Sequence, residues 1–483
     1  MKTNMATQLF LLGKLDGIES FILEQGPEHA GAALAGRCLW ISLLSEVLPR
    51  AVLAECGLAE LLLGVAGGGE FLIVLPEESL GAAETVLSAA ATEIKTLSGG
   101  LLRLLWTSTE NLGAWPFVRG RLLTQLRQKE GAPGPTAERG PLADDYFAEL
   151  AASLAQVQTP DGTQQQVGWS MASPGKVTAG SGDRTFTLGD GAGEIPLARH
   201  QAMSEDGTTP ARLKDLAARA QGAKRWGVLR GDVDGFGARL RGANTVEEHV
   251  KLALALKQFL TGEVRVLALQ GEFFRRVSLL WVGGDDFAVY GSWDALIEFG
   301  REIHRVFHRF TEEQWSSLLG REGKTISMAL AIAPQGANDA GASFRAVYEE
   351  AGRALEVAKS EDKDCFYVLG RAIEWKQLQR SSDLKASMIR LVREFGCSAD
   401  FLQELSGFFH DRLALPGRER TDRPWRYHRR ISAALGDPRR ANAAFDKQKT
   451  ALIRDLIGGG SAHARLRPTG RVAVDWARLE LGL

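Results

Sequence analysis

The stretch LLWVGGDDFAVYG, Leu279 to Gly291, constrains this chain more than any other. Two apolar runs, residues 276–282 and 287–291, flank Gly283, Gly284, Asp285 and Asp286. Strand-like runs separated by three to five residues containing glycine signal a β-hairpin. Upstream, residues 226–230 form another apolar run that enters the turn sequence GDVDGFG. Residues 245–260 read as a helix with capping-box spacing between Thr245 and Glu248. After the hairpin, Leu296, Phe299, Ile303, Val306 and Phe310 recur at helical spacing. A strand at 325–333, a helix at 344–360 and a strand at 365–370 complete the series. The order β-α-β-β-α-β, with one extra helix, is the split βαβ or palm arrangement.

This order makes the first strand and the hairpin neighbours at the centre of one antiparallel sheet. Asp232 then ends one strand, Asp285 and Asp286 sit at the hairpin tip, and three carboxylates meet at one sheet edge. Adjacent carboxylates repel unless a cation neutralises them. Mg²⁺ is typically held by one or two carboxylates plus substrate phosphates, and a pair of ions can serve both oxygens of a phosphoryl transfer. Glycines at such a tip permit a sharp turn and a close backbone approach.

The first 130 residues repeat the pattern. VAGGGEFLIVLP, residues 65–76, parallels VGGDDFAVYG, and KLDGI at 14–18 parallels DVDGF at 232–236. Lys14 precedes Gly67 by 53 residues and Asp232 precedes Gly283 by 51. Helical patterns at 32–53 and 80–96 and a strand at 101–107 fill the same places. Two palms in one chain follow, differing where chemistry would sit: Lys14 stands for Asp232, and Gly69 and Glu70 stand for Asp285 and Asp286. One degenerate and one intact palm suggest a pseudo-dimer holding substrate between its halves.

The rest of the composition sets bounds. A chain of 483 residues with 45% hydrophobic and 24% charged residues is long enough for several packed domains. A net charge of −1 gives no global pull toward nucleic acid or membrane. Cys38, Cys56, Cys365 and Cys397 form no C-x-x-C pair, so neither a zinc ribbon nor a disulfide framework is implied, and a reducing compartment fits. The N-terminal segment reads as a strand rather than a signal peptide, and no uncharged apolar run of about 18 residues marks a membrane span.

Together, GVLRGDVDGFG, WVGGDDFAVYG, TISMALAIAP and EVAKSEDKDCFYVLG resemble the second palm of the large subunit of type III CRISPR effector complexes. LLGKLDGIESFI and GVAGGGEFLIVLP look like the first palm of that family, and RPWRYHRRISAAL like its C-terminal helical domain. The resemblance is weakest over residues 135–205. It implies an α+β fold with two ferredoxin-like palms of the nucleotide cyclase type: a degenerate palm at 1–134, an inter-palm segment at 135–222, a catalytic palm at 223–374 and a helical domain at 375–483.

It also implies an activity: ATP joined through 3′–5′ bonds into cyclic oligoadenylates when the complex binds target RNA. Asp232, Asp285 and Asp286 would hold two Mg²⁺ or Mn²⁺ ions. Val233, Asp234, Gly235, Phe236, Gly237, Gly283, Gly284, Ser327, Lys359, Lys14, Gly67 and Gly68 would line the nucleotide sites. The implied partners are guide RNA, target RNA and neighbouring backbone and small-helical subunits in a prokaryotic cytoplasm, with no membrane. Arg423, Arg426, Arg429 and Arg430, from a run of six arginines with two aromatics, are candidates for RNA or subunit contact.

Departures from the family are expected as well. The chain starts directly in the first palm, without the His-Asp nuclease domain many members carry, and His410-Asp411 reads as a decoy. The 158–196 region lacks the zinc-binding cysteines common there and reads as a small β-rich or partly mobile insertion. Lys14 either contacts the phosphates of a second ATP or is simply exposed. His304 and His308 read as part of an amphipathic helix. Two alternative functions remain: a diguanylate or mononucleotide cyclase, and a non-catalytic scaffold subunit.

Overall fold

A computed structural model of the chain describes residues 7–24, 30–131, 139–155, 165–191, 193–335, 344–360, 363–410, 424–435, 442–457 and 467–483. Its contacts divide into two units. One comprises Met1–Asp215, Asp232–Tyr290 and Glu302–Thr325; the other comprises Leu216–Gly231, Gly291–Arg301 and Ile326–Leu483.

The first palm consists of β1 (Gln8–Asp16), α1 (Ile18–Leu23), α2 (Ala30–Glu55), β2 (Leu63–Gly67), β3 (Glu70–Pro76), α3 (Leu80–Leu97), β4 (Arg103–Glu110) and α4 (Trp115–Gly131). Its sheet has the order β2-β3-β1-β4, with β1 antiparallel to both neighbours. On one face lies α2, whose Trp40, Ile41, Leu43, Val47 and Val52 are fully buried. A helix apolar on nearly every side belongs inside a core. By length and hydropathy α2 would also pass as a membrane span, but 78% of that window is buried within the protein. Its charges are paired: Arg37 with Asp144 at 2.5 Å, and Arg50 with Glu46 at 2.8 Å. On the sheet's other face, Phe10 and Leu72 pack with Trp115, Val118 and Leu122 of α4 and with Ala243.

Next come α5 (Asp144–Ala155), a three-stranded sheet of β5 (Gln165–Ser170), β6 (Ser173–Ala179) and β7 (Arg184–Leu188) in the order β6-β5-β7, and α6 (Leu213–Ala218). The Trp40 indole donates to the Gly175 carbonyl at 3.0 Å and Gly175 N–H donates to Glu93 at 2.8 Å, which fastens this sheet to α2 and α3.

The second palm comprises β8 (Trp226–Val233), α7 (Phe236–Arg241), α8 (Val246–Gln258), a π-helical turn (Phe259–Glu263), α9 (Val264–Ala268), β9 (Val277–Gly283), β10 (Asp286–Ser292), α10 (Trp293–Gln314), β11 (Ile326–Ile332), α11 (Phe344–Ser360), β12 (Cys365–Val368) and β13 (Arg371–Glu374). The sheet order is β13-β12-β11-β8-β10-β9. Its last four positions, β11-β8-β10-β9, repeat the first palm's order in reverse listing, β4-β1-β3-β2. The central neighbour of β8 is the second hairpin strand, β10, while β9 lies at the edge. The Thr245 hydroxyl accepts from Glu248 N–H at 3.2 Å, as the capping spacing predicts. The short hairpin β12–β13 carries no sequence signal beyond a glycine.

Helices α12 (Trp375–Arg393), α13 (Asp400–His410), α14 (Pro424–Leu435), α15 (Ala443–Ile457) and α16 (Pro468–Glu480) share a core of Leu391, Phe401, Leu405, Ile431, Leu456 and Val474. The mixed helix-and-sheet class expected from the sequence is what forms.

Candidate active site

One hydrogen bond recurs in both palms and fixes their equivalence. In the first, Leu15 N–H donates to the Gly69 carbonyl at 2.7 Å; in the second, Val233 N–H donates to the Asp285 carbonyl at 2.9 Å. Lys14 therefore corresponds to Asp232, Gly68 to Gly284, Gly69 to Asp285 and Glu70 to Asp286. The strand register places Lys14 opposite Glu70, and the equivalent bond sets Asp232 across from Asp286. Directly opposed residues have Cβ atoms about 5 Å apart, and like charges there are destabilising.

The two palms resolve this electrostatic problem differently. In the first, the Lys14 ammonium pairs with Glu70 at 3.4 Å and with Glu130 of α4 at 2.9 Å. Burial alone would lower the Lys14 pKa, but the hydrogen bond it donates to Glu130 and the charges of both glutamates outweigh it and raise the value. Neither half of the sequence expectation for Lys14 describes this arrangement: its side chain is one-third exposed and held between two carboxylates. In the second palm, two acids face each other and Asp285 adds a third on the turn between them. All three are half-buried. The Trp281 indole donates to Asp286 Oδ1 at 3.0 Å, which orients one of them.

Among the described residues, no three acidic, histidine or cysteine side chains form a ready metal cage. The convergence read from the sequence is thus one of backbone position at a sheet end. The donor set is nevertheless all hard carboxylate oxygen, which suits Mg²⁺ or Mn²⁺, and Mg²⁺ rarely uses an all-protein cage.

The turns of the two palms touch. A Cβ placed on Gly68 would clash with Gly284 N and lie 2.9 Å from Gly283 C, and one placed on Gly283 would overlap Gly68 Cα. Gly68 of the first palm thus abuts Gly283 and Gly284 of the second through backbone, which requires glycine.

The remaining sequence candidates divide. Asp234 is buried, accepts from the Thr325 hydroxyl at 2.8 Å, and donates its N–H to the Thr325 carbonyl at 2.9 Å. Its amide is therefore committed to a loop–loop tie rather than to a phosphate. Gly235 takes a left-handed φ of 72°, as Gly17 does at 91° in the first palm, and each opens a six-residue helix. Phe236 stacks on Trp315 at 6.0 Å and is buried, so it serves packing. Gly237 lies beneath Arg241, whose Nη1 is 3.7 Å from the position of its missing Cβ. Val233 is fully buried.

Ser327, in the other unit, is completely buried in β11, so its hydroxyl is not presented at a surface. Lys359 is the next-to-last residue of the 17-residue α11 and pairs with Glu356 at 3.8 Å. In the 17-residue α4 of the first palm, Glu130 holds that next-to-last place.

His308 is exposed and 3.4 Å from Glu312, as an amphipathic helix implies. Arg429 and Arg430 are exposed on α14. Arg423, the side chain of Arg426, the side chain of His410 and Asp411 lie outside the described residues. Sequence reading missed Trp281, which is legible only as a strand aromatic. It also missed Ser45 and Glu46 of α2, which act on the first palm's turn from a helix.

Comparison with known proteins supplies the lineage. Residues 225–367 match the family model for the second palm domain of Cas10/Cmr2, and residues 7–97 match domain B of the Csm1 subunit. Both palms are thus similar to those of Cas10/Csm1. The chain is 30% identical over 117 residues to the single-strand-specific deoxyribonuclease Cas10/Csm1 (subtype III-A) of Mycobacterium tuberculosis, a match covering 20% of this chain and 14% of that protein. To the Cas10/Csm1 of Thermococcus onnurineus it is 21% identical over 177 residues, 34% of this chain and 21% of that protein. The matched stretches thus span a minor part of these relatives' length. Among solved structures, a Csm1–Csm4 cassette in complex with pppApApA aligns over 98% of this chain and 69% of that one, at 15% identity and TM-score 0.72. A Csm1–Csm4 cassette in complex with cA4 gives 98%, 70%, 15% and 0.71. The fold of those Csm1 chains is therefore present across nearly the whole of this chain.

Proposed function

We propose that this chain is the large subunit of a type III CRISPR effector complex and converts ATP to cyclic oligoadenylates on target RNA binding. The observation that carries the reading is the gathering of three carboxylates at one strand end of the second palm: Asp232 across from Asp286, with Asp285 between them on a glycine turn, where the first palm has Lys14 ion-paired with Glu70. Solved Csm1–Csm4 cassettes that align along the chain are complexes with one ATP, with pppApA and with cA4.

In this reading the 3′-hydroxyl of one ATP attacks the α-phosphorus of another. A 3′–5′ bond forms, the α–β anhydride bond breaks, and pyrophosphate leaves with the displaced electron pair. Asp232, Asp285 and Asp286 would hold the divalent ions, which supply charge neutralisation at the phosphates. The Trp281 indole keeps the Asp286 carboxylate pointed at one place. The Gly67–Gly68 and Gly283–Gly284 turns provide a surface without side chains, which lets a nucleotide approach the backbone closely. Csm4-like and small-helical subunits and guide and target RNA are the proposed partners, with Arg429 and Arg430 among the candidate contacts.

The test is to incubate the assembled complex with ATP or GTP, Mg²⁺ and target RNA, and to weigh the products. Rings of AMP units are expected. A single cyclic mononucleotide or a cyclic di-GMP product would replace this reading with a cyclase of another class. Untouched nucleotide in a verified, target-bound complex would favour the scaffold subunit.

A further inference from the structure

A buried carboxylate reaches across the palms beneath the two turns. Glu46, on α2 of the first palm, has a side chain only 4% exposed. Its Oε1 meets Lys257 Nζ, on α8 of the second palm, at 2.5 Å, and its Oε2 meets Arg50 at 2.8 Å. A buried carboxylate is tolerated only with such partners.

The same atom that binds Lys257 also lies against the turn. A Cβ on Gly67 would lie 2.8 Å from Glu46 Oε1 and 3.6 Å from Lys257 Cε. The preceding residue, Ser45, accepts from Gly69 N–H at 3.1 Å and donates to the Ile41 carbonyl at 2.7 Å. One turn of α2 thus binds the Gly69 end of the Gly67–Gly69 turn and packs against its Gly67 end. The middle residue, Gly68, is the one that abuts Gly283 and Gly284, next to Asp285.

We propose that Glu46 and Lys257 form an inter-palm clamp that sets the height of the first palm's glycine turn against the GGDD hairpin, making both of them positioning residues for the second palm's carboxylates. The inference rests on the proposed function only for its catalytic consequence; the geometry of the clamp stands without it. Lys257 bonds a first-palm helix, and Glu46 is too buried to serve as a ligand for a nucleotide in solution. Their influence on the site therefore passes through the Gly67–Gly69 turn.

The clamp is tested first by hydrogen exchange of the full chain, a readout that needs no ATP chemistry. Lys257→Met is expected to speed amide exchange in peptides covering residues 66–70 by about tenfold or more, because the turn loses its support. Lys257→Arg keeps the charge and should restore near-native protection. Glu46→Gln should loosen the same amides, and the Glu46→Gln/Lys257→Met pair should be no looser than the weaker single variant, since both remove one interaction. If Lys257→Met does not fold, Glu46→Gln and Lys257→Arg carry the test with the same expectations. Unchanged exchange at 66–70 in a folded Lys257→Met or Glu46→Gln variant, or additive loosening in the pair, overturns the clamp. In the assembled complex, the clamp variants should lower the rate of linear dimer formation more than they raise the KM for ATP. A loosened turn with an unaltered dimer rate overturns the positioning role. Absence of any product from the unaltered complex would instead count against the proposed function and leave the exchange result to judge the clamp.

Discussion

Alanine placed at Gly68 and at Gly284 separates the conformational cost of a turn from the cost of the palm–palm approach. The two glycines are equivalent in the repeat and share a φ of 64°. A left-handed conformation costs an L-residue roughly 1–2 kcal/mol, and both variants incur it. Their surroundings differ. A Cβ at Gly284 meets nothing within 4 Å, whereas one at Gly68 clashes with Gly284 N and lies 2.9 Å from Gly283 C and 3.1 Å from Gly283 Cα. Every one of these obstacles is backbone, so no side chain can rotate away. Forcing a methyl into a packed contact typically adds about 1–3 kcal/mol. Gly68→Ala should therefore destabilise by about 2–5 kcal/mol and Gly284→Ala by about 1–2 kcal/mol. Urea denaturation curves of the two variants, compared at unchanged m-value, read the difference. Equal losses would mean that the turns do not press on one another, and the arrangement of the two palms described above would be wrong at its central contact.

Further predictions follow from the charges. Lys14→Met removes two ion pairs and leaves Glu70 and Glu130 without their cation; a loss of about 1–2 kcal/mol is expected, and Mn²⁺ should recover part of it in a melting experiment. In a background of Asp232→Asn, Asp285→Asn and Asp286→Asn, Lys14→Asp should create a new Mn²⁺ site seen by calorimetry, whereas the background alone should show none. His249 stacks edge-on against Trp115 at 5.3 Å, and burial, with the nearby Arg119 charge, lowers its pKa from 6.5 to about 4. The unfolded chain then binds the proton first, so stability should fall as pH drops from about 6.5 to about 4, by up to about 3 kcal/mol, and then level off. His249→Phe should flatten that part of the stability profile; an unchanged slope would show that His249 is not its source.

Much of the site was legible because its signals are local. The GGDD hairpin, the GDVDGFG turn and the spacing between them lie in short stretches, and the same stretches recur near the N-terminus. That repeat gave the Lys14–Asp232 equivalence, which the matching backbone hydrogen bonds confirm. What stayed hidden depends on partners remote in sequence. Glu130 lies far along the chain from Lys14, so the two open expectations for Lys14 both missed the ion pairs. Glu46 and Lys257 each read as ordinary helix charges, because nothing local says that one is buried beneath a turn and the other reaches it. Asp234 and Ser327 show the converse: their motif neighbours suggest contact with ligand, and nothing local tells that both side chains are buried. The helix α2 passed unnoticed as a possible span because its four charges, Arg37, Glu46, Arg50 and Glu55, interrupt the run, and those charges turn out to be its ties to neighbouring elements.

The measurement that bears most directly on the central claim is ATP consumption by the target-bound complex with one palm altered at a time. Asp285→Ala/Asp286→Ala should abolish turnover, a loss of about a thousandfold or more, as expected when groups that act only on the reacting phosphates are removed. Lys14→Met/Glu70→Gln, at the equivalent positions of the first palm, should leave turnover within about tenfold of the unaltered complex. Undiminished turnover in the first variant, or its loss only in the second, would contradict the assignment of the chemistry to the second palm.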